Sequence, residues 1–110
     1  MTNRKSWARD ALISLLLAAG YMLIFAYNNT PLGAAIGSDN AMYLTMGTAL
    51  AKGYAPYTEI FDHKGPLLFL LQLLPQAVSG GYSLTAVFIQ ETLVLFACLM
   101  MMRAIAKELD

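Results

Sequence analysis

The sequence predicts an all-α integral membrane protein, with two transmembrane helices joined by an external loop that carries two short juxtamembrane helices. Three observations predict it. The chain of 110 residues is 58% hydrophobic and only 13% charged, against about 25% charged in an ordinary soluble domain. Charge is absent from residues 11–38, 65–90 and 92–102, and apolar stretches of about 18 or more residues read as membrane spans. The cations collect at the two ends, with Arg4, Lys5 and Arg9 before the first block and Arg103 and Lys107 after the last.

The first span covers residues 7–27. Its core reads "ALISLLLAAGYMLIFAY", and Trp7 and Tyr27 lie near its ends, where amphipathic aromatics favour the interface. Asn28, Asn29, Thr30 and Pro31 stop it. A cleaved signal peptide is the rival reading. Arg4 and Lys5 would supply its basic region and "PLGAA" its cleavage site, but the apolar run is long for that role and a second span follows.

The external loop covers residues 28–81. Within it, "GSDNAMYLTMGTALAKG" predicts a helix at about residues 39–52. Ser38 or Asp39 would cap it and Gly53 would stop it in the left-handed conformation. Asp39, Tyr43, Met46 and Leu50 recur at helical spacing and share a face. "YAPYTEIFD" is an extended or turning link in which Glu59 and Asp62 read as solvated charges. Pro66 is a favourable first residue for a second helix at 66–74. Nine helical residues rise only about 14 Å, too short to cross, and Pro75 interrupts the run. This helix is therefore expected to lie on the membrane surface.

The second span covers residues 83–104, with Ser83 as its N-cap after Gly80-Gly81. Glu91 lies two turns inside it. A carboxylate at that depth is costly beside lipid tails, so it is expected to face further helices. Lys and Arg are sparse in the loop, which places both termini in the cytoplasm and the loop outside. A third span at 66–78 would put Arg103 and Lys107 outside, against the same rule. Cys98 stands alone, and so points neither to a disulfide nor to a metal. No basic patch calls for nucleic acid, and the formal net charge is zero.

The chemistry concentrates in the loop. Lys64 precedes a helix start with free amides, a combination suited to phosphate. A lipid phosphate fits best, because its tail could lie along the Leu-rich helix that follows.

The order Asp39-x-x-x-Tyr43, then "GYAPYTEIFDHKGPLLFLLQLL", then a span, resembles the N-terminal part of the polytopic glycosyltransferases of the GT-C class. It is most similar to the bacterial family 39-like group, with relatives of protein O-mannosyltransferases and lipid A aminoarabinose transferases. The pattern G-x-x-P-Y-x-x-x-F-D-x-K-G-P-L carries most of the likeness, which covers roughly residues 11–107. The resemblance implies a partial GT-C fold and a transferase of the cell envelope at the inner membrane. Its donor would be a polyprenyl-phosphate-linked sugar. Asp39 matches the acidic residue at the reaction centre, where it would act as general base. Lys64 matches the lysine near the donor phosphate, and Tyr43, Tyr57 and His63 complete the candidate substrate-binding set. A divalent metal is compatible with the family, although His63 stands where some relatives carry an acidic residue; no metal ligand is assigned. Members of the family have many more spans, so the likeness is to their first portion, and the expectation is a fragment whose cavity needs further transmembrane helices. Two other readings compete: a small non-catalytic two-span subunit or lipid-phosphate-binding module, and part of a transporter.

Overall fold

Four helices follow one another in the computed structural model, which describes residues 4–26, 37–63 and 65–109. They are α1 (Arg4–Phe25), α2 (Ser38–Ala51), α3 (Pro66–Ser79) and α4 (Leu84–Leu109). Among the described residues there is no strand, only an isolated bridge between Pro56 and Ile60. The chain divides into two compact units. One comprises residues 1–27 and 89–110, the other residues 28–88.

α1 and α4 hold 22 and 26 residues, about 33 and 39 Å of helix, enough for a hydrocarbon layer of about 30 Å. Among the described residues they are the two helices long and apolar enough to cross a membrane. Their exposure pattern is inverted relative to a water-soluble core helix. α1 shelters Asp10, Ser14, Ala18 and Met22, one residue per turn, while Leu12, Leu16, Leu17, Leu23 and Ile24 are exposed. α4 shelters Val87 and Thr92 and exposes Ile89, Leu93, Val94, Met101 and Ile105. The small side chains Ser14 and Ala18, four residues apart, are of the kind that lets membrane helices approach closely.

The first unit is closed by charge. The Asp10 carboxylate, 3% exposed, accepts from the Arg103 guanidinium and from Lys107 Nζ at 3.3 Å. The Arg9 guanidinium approaches its other oxygen at 3.7 Å. The first turns of α1 and the last turns of α4 therefore lie side by side, and within this unit the two helices run antiparallel. Glu91, half-buried, lies well away along α4 from this charged end.

In the second unit α2 packs against α3. α2 buries Leu44, Met46 and Gly47, with Tyr43 and Leu50 half-buried and Asp39 exposed. The inner face is thus rotated away from the expected line through Asp39, because the contact centres on Gly47. A Cβ built there would lie 2.6 Å from the carbonyl oxygen of Gln72 on α3. Hydrogen alone at position 47 lets the two backbones approach that closely. The cap also differs from expectation. Gly37, extended at φ −62° and ψ 151°, occupies the N-cap position, where it has no side chain to accept. Its carbonyl accepts from the Ala41 amide at 2.9 Å, which places Ser38 and Asp39 inside the first turn.

α3 starts at Pro66 and runs through Pro75 to Ser79, ending at Gly80 with φ 76°. It outlasts the expected end at residue 74 because a helix can carry an internal proline when the freed carbonyl and the ring find room, at a cost in stability. Its 14 residues rise about 21 Å, still short of a crossing. α3 is inverted as well. Phe69 and Gln76 are buried and Gln72 half-buried, while Leu67, Leu70, Leu74 and Val78 are exposed. Gln76 organises the corner into α4. Its backbone carbonyl accepts from the Gly81 amide at 3.0 Å, and its Oε1 accepts from the Ser83 amide at 2.8 Å. Ser83 Oγ then accepts from the Ala86 amide at 3.1 Å, capping α4.

Gly47→Ala should separate α2 from α3, because the new methyl meets backbone rather than a movable side chain. A loss of about 1–3 kcal/mol is expected, the usual range for overpacking. Gly20→Ala is the control, since nothing lies within 4 Å of a Cβ there. Denaturation of the detergent-purified protein measures both; equal stability of the two variants would contradict the close approach.

Candidate functional site

The loop between α2 and α3 is built by its own residues. Gly53, at φ 90°, ends α2 after the Lys52 amide has donated to the carbonyls of Thr48 and Ala49. The Tyr54 amide returns to the Ala49 carbonyl at 3.1 Å. Glu59 then closes a ring with Ala55. The Ala55 amide donates to Glu59 Oε2 at 2.7 Å, and the Glu59 amide donates to the Ala55 carbonyl at 3.1 Å. Thr58 Oγ1 reaches the same carbonyl at 3.4 Å. Glu59 is exposed, as expected from sequence, and also clasps the turn.

Tyr57 is the strained residue of this loop. Its φ is 66°, the left-handed region that a bulky side chain rarely adopts. Two sets of contacts hold it there. Its amide donates to the Ile60 carbonyl at 2.6 Å. Its ring lies 6.1 Å from Phe69, buried on α3, and 6.3 Å edge-on from Phe61. Aromatic pairs in this range are worth about 0.5–1.5 kcal/mol each beyond burial. The loop is thereby fastened to α3 just ahead of the segment leading into that helix.

The candidate residues occupy distinct places in this unit. Asp39 is exposed in the first turn of α2, and Tyr43 is half-buried one turn later on the same helix. Tyr57 sits on α3 through Phe69. His63 is exposed, with Nδ1 3.5 Å from a largely buried Asp62 carboxylate, an ion pair when the imidazole is protonated. Asp62 is therefore better placed to orient His63 than to act as the free surface charge expected. Lys64 lies outside the described residues. Among the described residues no group of three His, Cys, Asp or Glu side chains gathers to hold a metal. Cys98 is free and exposed.

Sequence reasoning missed Asp10. The pattern showed a carboxylate at the edge of an apolar block with cations far away in sequence, and only the antiparallel pairing of α1 with α4 brings them together. A second feature of the same unit is an apolar cleft of about 550 Å³, walled by Leu16, Gly20, Tyr21 and Ile24 of α1 and Leu95 and Leu99 of α4. Its apolar walls suit a lipid chain or an apolar side-chain cluster better than a polar substrate. No protein-family model, curated protein or solved structure matches the chain.

Tyr57 supplies a test of the loop. Tyr57→Ala should lose the aromatic contacts and keep the left-handed strain, whereas Tyr57→Gly loses the contacts but relieves the strain. The Gly variant should be the more stable by about 1 kcal/mol. Equal stabilities in chemical denaturation would contradict the left-handed backbone at position 57.

Proposed function

We propose that the chain forms the first part of a membrane glycosyltransferase of the GT-C type. In this reading it moves a sugar from a polyprenyl-phosphate donor to a hydroxyl-bearing acceptor of the cell envelope. The observation that carries the reading is that the motif running from Gly53 to Pro66 belongs to one folded unit with α2 and α3. Its Gly53 stop, its Tyr57 anchor on Phe69, its Asp62–His63 pair and its Pro66 helix start each have a structural place. Asp39 is exposed on the same unit.

The chemistry follows from the residue types. The acceptor oxygen attacks the anomeric carbon while the bond from that carbon to the phosphate oxygen breaks. Asp39 takes the acceptor proton, which requires a carboxylate within hydrogen-bond reach of the hydroxyl. Lys64 neutralises the departing lipid phosphate, and the Tyr43, Tyr57 and His63 side chains bind and orient the sugar. The exposed leucines of α3 face the lipid chain of the donor and the bilayer surface. α1 and α4 cross the inner membrane with both termini in the cytoplasm and the loop unit outside, supported by the adjacency of their charged ends at Asp10. The exposed Leu and Ile side chains of α1 and α4 support the same membrane setting, since so much exposed apolar surface is incompatible with water. Further transmembrane helices complete the cavity.

The second reading is a two-span, non-catalytic module that binds lipid phosphate. The Asp10 cluster favours it, because the pair of long helices is closed by its own charges.

Two experiments test these statements. In the complete enzyme, Asp39→Asn should leave the membrane level of the protein nearly unchanged, since the Asn carbonyl oxygen accepts a backbone amide about as well as the carboxylate does. Sugar transfer normalised to that level should fall by about 100-fold or more, the range for losing a general base. Near-normal transfer would remove Asp39 from the chemistry and favour the module. Reporter fusions should place the residues before Arg4 and after Leu109 in the cytoplasm and Pro56 outside. Opposite sides for the two termini would contradict the two-span arrangement.

A further inference from the structure

The charged end of the first unit has more to it than a clasp. A cleft of about 210 Å³ opens there between α1 and α4, lined by Trp7, Asp10, Met100, Arg103, Lys107 and Glu108. Its cations are both fixed and accessible. Asp10, buried, accepts from Arg103 and Lys107, whose side chains remain 41% and 42% exposed. One carboxylate holds two cations there, so their donors are directed but not used up. Among the described residues at this end of the unit, Arg4, Lys5, Arg9, Arg103 and Lys107 outnumber Asp10 and Glu108. Trp7, 58% exposed, borders the cleft, and indole rings favour the headgroup level of a bilayer. Met100, which lines the cleft on the same face of α4 as the cations, supplies an apolar flank.

A negatively charged phosphodiester with two acyl chains matches this arrangement. Its phosphate would meet Arg103 and Lys107, and its chains would run into the bilayer past Trp7 and Met100. Basic clefts between membrane helices on the cytoplasmic side take anionic lipid headgroups for this reason. We propose that the Trp7–Arg103–Lys107 cleft is a binding site for the headgroup of an anionic phospholipid. It is separate from the loop unit and independent of sugar transfer. It rests only on α1 and α4 crossing a membrane.

Trp7 is the only tryptophan, so its fluorescence reports the site directly. The full chain is reconstituted in phosphatidylcholine vesicles containing phosphatidylglycerol at low ionic strength. Resistance to alkaline extraction separately establishes incorporation, so failure to span the membrane cannot be mistaken for failure to bind lipid. Quenching of Trp7 by brominated phosphatidylglycerol is compared with quenching by brominated phosphatidylcholine. Phosphatidylglycerol should be preferred about fivefold, the advantage of one cation near a headgroup, and the preference should saturate as its content rises. Lys107→Gln, which keeps the Arg103 bond to Asp10, should bring the two lipids close to parity. Asp10→Asn removes the competing carboxylate and should retain or increase the preference. Equal quenching by the two lipids would overturn the proposal, as would a preference unchanged in Lys107→Gln. A preference that never saturates would mark diffuse surface attraction and overturn the site. Loss of preference in Asp10→Asn at unchanged helix content would reduce the cluster to a structural clasp. Displacement by soluble glycerol 3-phosphate would replace the lipid with a free anion and overturn the lipid assignment.

Discussion

One buried carboxylate determines how the long helices pair. Asp10 sits on the sheltered face of an apolar helix, where an isolated charge would be costly. It is tolerated because Arg103 and Lys107 converge on it from α4. That pairing leaves little freedom: the start of α1 must lie against the end of α4, and the helices must run in opposite directions. Ser14, Ala18 and Met22 then follow Asp10 on the same face at intervals of four residues. The charge cluster sets direction, and the small residues above it continue the sheltered face of α1.

A second rule runs through both units. Large apolar residues stand on the outside of both units, and polar or small residues lie inside beside the apolar Met22, Leu44, Met46 and Phe69. Gln72, Gln76 and Gly47 lie on the inner side of the loop unit, while Leu67, Leu70, Leu74 and Val78 are exposed. A helix in water would do the reverse. Here the inner side supplies hydrogen-bond partners and close backbone contact, as Gln76 does for Ser83 and Gly47 does for Gln72. The satisfaction is incomplete: Gln72 Oε1 and Gln76 Nε2 are buried without a partner among the described residues. Lying one turn apart, one is an acceptor and the other a donor.

Much of this was legible in the sequence where a single local rule decides. Apolar blocks marked the two long helices, Gly53 marked the end of α2, Pro66 the start of α3 and Ser83 the start of α4. Each rests on the conformational preference of one residue or on composition over a window. What escaped depended on residues far apart in the chain. Asp10 looked like the edge of a span until Arg103 came beside it. Gly47 looked like an ordinary helical residue until Gln72 was placed opposite. Pro75 looked like a stop because propensity disfavours it within a helix, yet the tertiary setting of α3 accommodates it. Of the candidate site, the residue types and their order were readable, as was the likeness of the motif to a family. The left-handed backbone at Tyr57 was not, because no local preference asks for it; Phe61 and Phe69 impose it.

The long reach of the Asp10 cluster has a consequence in time. Asp10 and Lys107 are separated by 97 positions, and a chain emerges from the ribosome at about 5–20 residues per second. The carboxylate therefore waits roughly 5–20 s before its last counter-charge exists. The corner at Gln76, Ser83 and Ala86 needs only a short stretch of chain and closes almost as soon as it is made. The order of assembly is thus written into contact distances: the loop unit and its corner are early, local events, and the pairing of the long helices is the last. During that interval α1 must be kept by something other than α4, so the making of this pair is most exposed to error while α1 waits for α4.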